Sequence, residues 1–348
     1  MRVALVWVLA AVFAVTAYAE MEVVNSTYGR VTLPGYAQGW YFYRYGDEEA
    51  GTEAMSTFTL RSASIILAGD IFDYAGFMIY VDPALNNQEL PAVVDAYGTF
   101  TAIPDVTLKM GQFLVPYSRE ANTSSSKLLF VERSSVTRFI PSYMGRDIGI
   151  MADYRHDFGD GPQWIGAALA GVNGTGPWDT DNNTAKDVAL RVGGNPFPWE
   201  YTRSLFAEGY YYIGKPEITG LSGVDETRLG VAAGIDRDDF NAQIEYLGRS
   251  ISPDEGADLE EGGYYLQGGY KFNLPWDWWQ QVEPALRYEA YDPNKDLDGD
   301  AYTAITLGCN LHFDTAHHCK LMLNYGKVDE EEGSVDNDCV SAQFQVRF

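Results

Sequence analysis

Basic side chains are concentrated in one stretch of the chain, Leu114 to Gly145, and at the residue that follows it. The five basic residues are Arg119, Lys127, Arg133, Arg138 and Arg146. Arginine binds phosphate or carboxylate through a planar fork of N–H donors, and lysine binds anions as a compact positive charge. The sequence therefore predicts that this stretch binds anions. The alternative is that these residues form ion pairs with acids elsewhere in the chain and only hold the stretch in place.

A second group could bind a metal. The segment Asn294 to Asp300 carries Asp296, Asp298 and Asp300, and it is similar to the first half of a calcium-binding loop. The twelfth position of such a loop needs a glutamate that binds with both oxygens, and here it is Ile305. The match is partial, so a plain acidic loop is favoured over a Ca²⁺ site. No other cofactor is predicted.

Catalytic chemistry is poorly represented. The four histidines are His156, His312, His317 and His318, and none has a serine partner suited to a hydrolase. The three cysteines, Cys309, Cys319 and Cys339, lack metal-ligand spacing. We therefore expect that the protein is not an enzyme. The net charge of −25 also makes nucleic acid an improbable partner, because the phosphates would repel the chain.

The elements that position these groups begin after a secretory signal. Residues 1–19 have one basic residue, an apolar core and a small-residue end, which predicts a signal peptide cleaved before Glu20. A membrane-anchoring helix is the alternative, but it needs about 20 apolar residues. Residues 20–37 are interpreted as a short periplasmic segment, and residues 38–348 as the folded domain.

Alternation of apolar and polar residues is the main structural signal in the remaining chain. In Thr227–Asp236, for example, Leu229 and Val231 fall on one face while Arg228 and Asp236 fall on the other. Sixteen segments follow this pattern: 38–46, 56–68, 75–82, 92–101, 105–113, 146–156, 162–171, 186–193, 203–213, 226–236, 238–249, 262–273, 281–291, 301–313, 318–328 and 338–348. Each has about the length that a tilted strand needs to cross a bilayer, and the apolar faces carry almost no charge.

The links between these segments alternate between short and long, which is typical of a closed transmembrane barrel. The predicted fold is all-β, an antiparallel barrel of about 16 strands with short periplasmic turns and long external loops. In this fold Leu114–Gly145 becomes the third external loop, folded into the lumen. A soluble two-domain protein is the alternative class, and 14 or 18 strands are alternative counts.

The inward-facing residues of the barrel include both signs of charge. The predicted basic residues of the lumen wall are Arg61, Lys109, Arg191, Arg228 and Arg287. Acids alternate with them, so the wall alone specifies no ion sign and a constriction would have to set the selectivity. The outer loops 47–55, 250–261 and 329–337 are strongly acidic. They are interpreted as solvated loops, with a cation-concentrating vestibule as the alternative.

Several segments resemble the phosphate-selective porin O and P family. They include LRSASIILAGDI (60–71), VVDAYGTFTAIPDVTLKMGQFLVPYSRE (93–120), FVERSSVTRFIPSYMGRDIGI (130–150) and EPALRYEAYD (283–292), together with the terminal Phe348. The resemblance implies a sixteen-stranded porin, typically trimeric, that passes anions and in some members prefers phosphate. Arg133, Arg138 and Arg146 match the family's loop pattern, whereas acids interrupt a wall ladder of arginines.

Three functions remain open at this point. The leading hypothesis is a porin in the outer membrane of a Gram-negative bacterium, through which small anions such as phosphate diffuse. The second is a mixed-charge or cation-leaning general porin, and the third is a mainly structural surface protein with a plugged lumen. The expected partners are a small solute, outer-membrane lipid and two further copies of the chain in a homotrimer.

Overall fold

A computed structural model describes residues 21–26, 29–46, 53–88, 92–141, 145–159, 163–195, 205–216, 223–276, 278–331 and 337–348. The predicted signal peptide lies outside these residues, so it stays a prediction. Within the described ranges, no helix is long and apolar enough to cross a membrane.

Strands account for most of the described chain. A hairpin comes first, formed by β1 (Met21–Ser26) and β2 (Gly29–Leu33). The longer strands follow: β3 Gly35–Arg44, β4 Met55–Ile71, β5 Ala75–Val81, β6 Val93–Ile103, β7 Val106–Leu114, β8 Arg146–Asp157, β9 Trp164–Val172, β10 Asp187–Asn195, β11 Leu205–Gly214, β12 Asp225–Asp236, β13 Phe240–Ser252, β14 Leu259–Tyr270, β16 Gln281–Asp292, β17 Tyr302–His312, β18 Cys319–Glu330 and β19 Cys339–Arg347. A two-residue strand, β15 (Phe272–Asn273), continues the line of β14 along β16.

The sheet closes on itself. From β3 onward each long strand pairs antiparallel with the next, and β19 returns to β3 with Cys339 opposite Arg44 and Arg347 opposite Tyr36. The sixteen long strands therefore form a closed barrel without an open edge along the ring. The predicted sixteen-stranded antiparallel barrel is confirmed, and all sixteen predicted segments overlap a strand.

The amino-terminal hairpin extends one end of the barrel. β2 pairs with the last residues of β4, from Ala68 to Ile71, beside the short turn 72–74. The alternation pattern did not predict this hairpin, because its strands of 6 and 5 residues are too short for a full crossing of the bilayer. The division of the chain at residue 37 stays a prediction.

The two faces of the barrel wall have the reverse polarity of a soluble protein. Met110, Ile150 and Leu229 point outward and are more than half exposed, whereas Gln345 and Glu245 point inward and are buried. Such an arrangement is stable where lipid covers the outer face and polar groups line the lumen. The exposed apolar face therefore identifies the outside of the barrel as its membrane surface.

Short and long connections lie at opposite ends of the barrel. Residues 72–74, 104–105, 237–239 and 313–318 form short turns at one end, and the longest connection, 115–145, leaves from the other. Two links at the short-turn end are longer, 196–204 and 271–280, and the second includes β15 and a tryptophan cluster. Trp278 stacks on Trp279 with ring centroids 4.5 Å apart. Tryptophan is enriched at membrane interfaces, which accounts for the length of the second link.

Candidate functional site

The longest connection, described over residues 115–141 and at Gly145, forms a compact loop inside the barrel; we call it the inserted loop. Its ends are closed by a hydrogen bond from the Val115 amide to the Gly145 carbonyl at 2.8 Å. Gly145 has φ 71°, a left-handed conformation that returns the chain to β8 at little cost only because glycine has no side chain. Closure at this neck fixes where the loop enters the lumen.

Two short helices give the inserted loop its shape. α1 (Arg119–Asn122) begins after Ser118, whose hydroxyl accepts a hydrogen bond from the Ala121 amide. α2 (Ser135–Phe139) begins after Ser134, which caps it in the same way through the Thr137 amide. Serine is a favoured residue at this position because its hydroxyl satisfies an amide that the helix leaves without a partner.

The inserted loop crosses the whole lumen and contacts distant parts of the wall. The Tyr117 hydroxyl donates to the Leu229 carbonyl of β12 at 3.1 Å. On another side, the Asn324 side chain of β18 accepts from the Val131 amide at 2.7 Å. The Gln345 side chain of β19 donates to the Ser126 carbonyl at 3.1 Å. These contacts leave room for solute only in the spaces around the loop.

Buried carboxylates of the wall hold one side of the loop. Glu245 of β13 accepts from the backbone amides of Arg119 at 2.7 Å and Glu120 at 3.3 Å. Glu289 of β16 accepts from Ser135, through the hydroxyl at 2.8 Å and the amide at 3.3 Å. Hydrogen bonds to charged groups contribute about 1.5–3 kcal/mol each, so these few bonds anchor the loop strongly. We call this part of the interface, from β11 to β16, the anchored side.

Arg119 also belongs to the anchored side. Its guanidinium lies 2.9 Å from the Glu208 carboxylate and 3.6 Å from that of Asp236. The same group stacks over the Phe206 ring at 3.6 Å from the centroid. The charge of Arg119 is therefore balanced by wall acids, which is the alternative that the sequence left open.

The opposite side of the loop faces an open space against β3–β8. This cavity of about 210 Å³ is lined by Arg61 of β4, Arg133 of the loop and Arg146 of β8, and we call it the arginine cavity. Its two acids already have partners. Asp95 is paired with Arg146 at 2.9 Å, and Asp82 accepts from Ser62, Ser64 and the Ala63 amide. The three guanidinium groups therefore outnumber the two carboxylates.

Arg133 is held by carbonyl groups and not by an acid. Its Nε donates to the Glu120 carbonyl at 3.2 Å and its Nη2 to the Thr123 carbonyl at 2.6 Å. Burial lowers the pKa of Arg133, Glu120 opposes the shift, and Arg146 and Arg61 add to it. The guanidinium nonetheless stays charged, because arginine starts from a pKa above 12. Among the described residues, no carboxylate lies within ion-pair distance of Arg133 or Arg61.

The sequence matches one family of known proteins over most of its length. The family model described as phosphate-selective porin O and P matches residues 36–203 and 213–348. The chain belongs to this porin family. A relative from Aquifex aeolicus, an uncharacterized protein, is 27% identical over 292 residues, which cover 74% of this chain and 68% of the relative.

Solved porin structures share the fold. The anion-selective porin from Comamonas acidovorans superposes with a TM-score of 0.65 at 16% identity, covering 92% of this chain and 100% of that one. OmpT of Vibrio cholerae, solved in a trimer form, superposes with a TM-score of 0.63 at 12% identity and covers 92% and 100%. This protein is thus an outer-membrane porin of a Gram-negative bacterium, with the fold of a channel.

The structure of the porin does not bring the five predicted loop cations together. Arg133 and Arg146 share the arginine cavity, and Arg119 is on the anchored side. Arg138 lies on an exposed surface, 3.3 Å from Glu132. Lys127 lines a different cavity of about 640 Å³ at the short-turn end. The reason is that the helices turn successive loop residues toward different walls.

The predicted wall cations are also distributed. Arg61 lines the arginine cavity, with its guanidinium 4.9 Å from the ring centroid of Trp40. The other four wall cations have neighbours of their own: Lys109 stacks on Tyr97, Arg191 pairs with Asp153, Arg228 pairs with Glu226, and Arg287 pairs with Glu289. The three arginines among them are balanced by acids, so the porin has no continuous ladder of unpaired cations among the described wall residues.

Two larger cavities lie below the loop, toward the short turns, with volumes of about 550 and 640 Å³. Asn122 and Thr123 line both of them and the arginine cavity as well. These two residues at the end of α1 therefore border all three spaces around the loop.

The predicted calcium ligands lie elsewhere, in the β16–β17 loop of the porin. Asp296 and Asp298 are exposed, and the Asp296 amide donates to the Asn294 side chain at 3.2 Å. In the part of the chain that the structure describes, no three His, Cys, Asp or Glu side chains are grouped to hold a metal ion. Ca²⁺ binding at Asp296, Asp298 and Asp300 stays a prediction.

Proposed function

We propose that this porin lets small anions, inorganic phosphate among them, diffuse across the outer membrane, and that the arginine cavity is its selective constriction. The observation that carries the proposal is the convergence of Arg61, Arg133 and Arg146 from two strands and the inserted loop onto one cavity. Charged groups that line a narrow passage set its ion selectivity. Here the excess charge is positive, because three guanidinium groups line the cavity against two carboxylates.

The geometry of the donors suits oxyanions in particular. Arg61 is held over Trp40 and Arg133 by two loop carbonyls, so both guanidinium groups are positioned before a solute arrives. Positioned planar donors bind carboxylate or phosphate with less loss of side-chain freedom than flexible lysines do. The fold similarity to an anion-selective porin supports this proposal. The trimer form of OmpT supports the further proposal that this porin assembles into a homotrimer.

A cation-leaning porin is the second candidate, and one observation favours it. Glu255 and Asp258 are exposed at the outer mouth, and the chain has a net charge of −25. These acids would concentrate cations near the entrance at low salt. The arginine cavity lies deeper and in a narrower space, where screening by salt is weaker, so we assign the selectivity to the cavity.

The test is the reversal potential of the folded porin in planar bilayers under a salt gradient. We expect an anion-selective sign for the natural protein and a shift toward cations in Arg133→Glu. Arg138→Glu is the matched control, because it reverses the same charge on the same loop at an exposed position outside the cavity. Equal effects of the two substitutions would overturn the assignment, and an absence of conductance would favour a structural surface protein.

A further inference from the structure

A pair of histidines lies at the short-turn end of the lumen, away from the arginine cavity. His312 ends β17, and His317 belongs to the turn that follows. Their ring centroids are 4.5 Å apart, and both side chains line the cavity of about 640 Å³ below the inserted loop. We call them the histidine pair.

The histidine pair is the centre of a chain of three hydrogen bonds. Lys271 Nζ is 3.3 Å from His317 Nε2, and His317 Nδ1 is 3.0 Å from His312 Nδ1. His312 Nε2 is 3.0 Å from the Glu283 carboxylate. The chain therefore runs from an ammonium group at one end to a carboxylate at the other.

The two ends determine the direction of every bond. An ammonium group only donates and an ionised carboxylate only accepts, while a neutral imidazole has one donor and one acceptor nitrogen. Lys271 must therefore donate to His317 Nε2, His317 Nδ1 to His312 Nδ1, and His312 Nε2 to Glu283. This arrangement fixes opposite tautomers for the two rings, and both imidazole lone pairs are in use.

An additional proton cannot bind without breaking one of these bonds. A proton on His317 Nε2 displaces the Lys271 ammonium, and a proton on His312 Nδ1 separates the two rings. In either case the cavity gains one positive charge, because a proton is taken up from the water in the lumen. His317 also has a left-handed backbone conformation, φ 59°, which is uncommon for a residue other than glycine.

The surroundings of the pair favour anions once that charge is added. Besides Lys271, the cations lining the cavity are Arg119, Lys127, Arg237, Lys320 and Arg347, against the acids Glu120, Asp236 and Glu283. Arg119 and Arg237 are themselves paired with acids, so Lys127, Lys320 and Arg347 supply the positive excess. The acids already have partners, since Glu120 accepts from Ser134, Asp236 lies 3.6 Å from Arg119, and Glu283 accepts from Asn310 and His312. From the turn, Asp314 faces the pair but accepts from the His318 and Cys319 amides and pairs with His318.

We propose that the cavity below the inserted loop is a second anion-binding subsite, and that protonation of the histidine pair raises its occupancy and hence the anion preference of the porin. The ligand is a small oxyanion such as inorganic phosphate, recognised by the same chemistry as in the constriction. This inference rests on the proposed function, because it assumes that anions pass through the lumen.

The pH range follows from the position of His317. Burial is the main cause that lowers the pKa of His317 to about 4; His312 and Lys271 contribute to the lowering, and Glu283 and Asp314 oppose it. Protonation therefore begins below the ordinary histidine range near 6.5 and is half complete near that lower value. At neutral pH the histidine pair therefore adds no charge to the subsite, and in acid it adds one positive charge.

The test measures reversal potentials at neutral pH and at about pH 4 in potassium phosphate and chloride gradients. In the natural porin, we expect the anion-to-cation permeability ratio to rise several-fold in acid. Exposed carboxylates of the outer loops contribute to this rise in every variant, so the decisive quantity is the part lost in His317→Gln and in His312→Gln. His318→Gln and His156→Gln are matched controls that leave the pair intact, and they should keep the full rise.

Two further measurements keep the test decisive. Lys271→Met removes the competing donor at His317 Nε2 and a repelling charge, so the rise should begin at a higher pH than in the natural porin. Nitrogen NMR of labelled histidine should find the Nδ1–H tautomer at His317 and the Nε2–H tautomer at His312 at neutral pH. Identical tautomers, or a full acid rise in His317→Gln, would overturn the subsite, whereas cation selectivity at neutral pH would instead contradict the proposed function.

Discussion

The two sides of the inserted loop use charged groups in opposite ways. On the anchored side, wall carboxylates accept hydrogen bonds from loop amides, as Glu245 does from Arg119 and Glu120. On the cavity side, loop carbonyls accept from a cation, as those of Glu120 and Thr123 do from Arg133. The acids of the anchored side, such as Glu245, thus hold the loop in place through hydrogen bonds. Arg133 on the cavity side keeps its positive charge available to a solute.

This difference separates the position of the loop from its selectivity. A substitution on the anchored side should change how much of the lumen the loop occupies, and with it the conductance. A substitution on the cavity side should change which ion passes, with little effect on the conductance. Measurements of both quantities on the same variants can therefore contradict the distinction directly.

The largest effect is expected from Glu245→Ala on the anchored side. Glu245 is almost fully buried and accepts from two loop amides and from the Tyr265 hydroxyl at 2.7 Å. Its loss leaves these donors without a partner, at a cost of about 1–3 kcal/mol for each buried group. The loop should loosen, and the single-channel conductance in planar bilayers should increase several-fold with the sign of selectivity retained.

Gln243→Ala is the control for this effect. Gln243 lies two positions away on the same strand and also contacts Tyr265, but it makes no hydrogen bond to the loop among the described residues. Its conductance should stay near that of the natural porin. If both variants open the pore equally, the carboxylate of Glu245 is not what anchors the loop.

The second effect is expected when Arg133→Met is compared with Arg119→Met made together with Glu208→Gln. Both remove one guanidinium from α1 or its neighbourhood and keep a side chain of similar length. Two unit charges 4 Å apart interact by about 1 kcal/mol in water, which corresponds to about a fivefold change in an equilibrium. Arg133→Met should lower the anion-to-cation permeability ratio by about this factor, measured as a reversal potential.

Arg119→Met combined with Glu208→Gln should change that ratio much less, because the two substitutions together remove a balanced ion pair. A drop of equal size in the two variants would mean that ion pairing on the anchored side does not remove a charge from the passage.

The sequence contained enough information for the barrel because each long strand has one face in lipid. β12 illustrates this, since Leu229 and Val231 alternate with Arg228 and Glu226, and the predicted segment 226–236 differs from the strand by one residue. The strands of the β1–β2 hairpin and the two-residue β15 are too short to cross the bilayer, so alternation could not predict them.

The site was less predictable, because it depends on the path of the inserted loop. Arg61 and Arg133 meet only because α1 and α2 turn the loop, and the serine caps at Ser118 and Ser134 are the signal that could have predicted those helices. The anchoring by Glu245 uses backbone amides, which every residue except proline carries. No pattern of residue types could therefore have identified which loop residues are held and which face the solute.

A smaller effect is expected from Trp40→Leu on the cavity side. Trp40 supports Arg61 from 4.9 Å and donates its indole N–H to Gln343. A cation–π contact contributes about 0.5–1 kcal/mol at exposed sites, so its loss should let Arg61 sample other positions without removing the charge. We expect the anion-to-cation permeability ratio to fall by about twofold, which corresponds to the lower end of that range because the charge is retained. Tyr41→Leu, on the lipid-facing side of the same strand, is the control; an equal loss there would point to β3 as a whole.

The smallest effect is expected at the outer mouth, from Glu255→Gln combined with Asp258→Asn. Both side chains are exposed in the β13–β14 loop, so they act on an ion in the arginine cavity only through solvent. The Debye length is about 30 Å at 0.01 M salt and about 3 Å at 1 M. Neutralising the two acids should therefore raise anion preference slightly in dilute salt and leave it unchanged in concentrated salt. A change that persists in concentrated salt would mean that these acids touch the permeating ion, and the division of roles between an acidic mouth and a basic constriction would then be wrong.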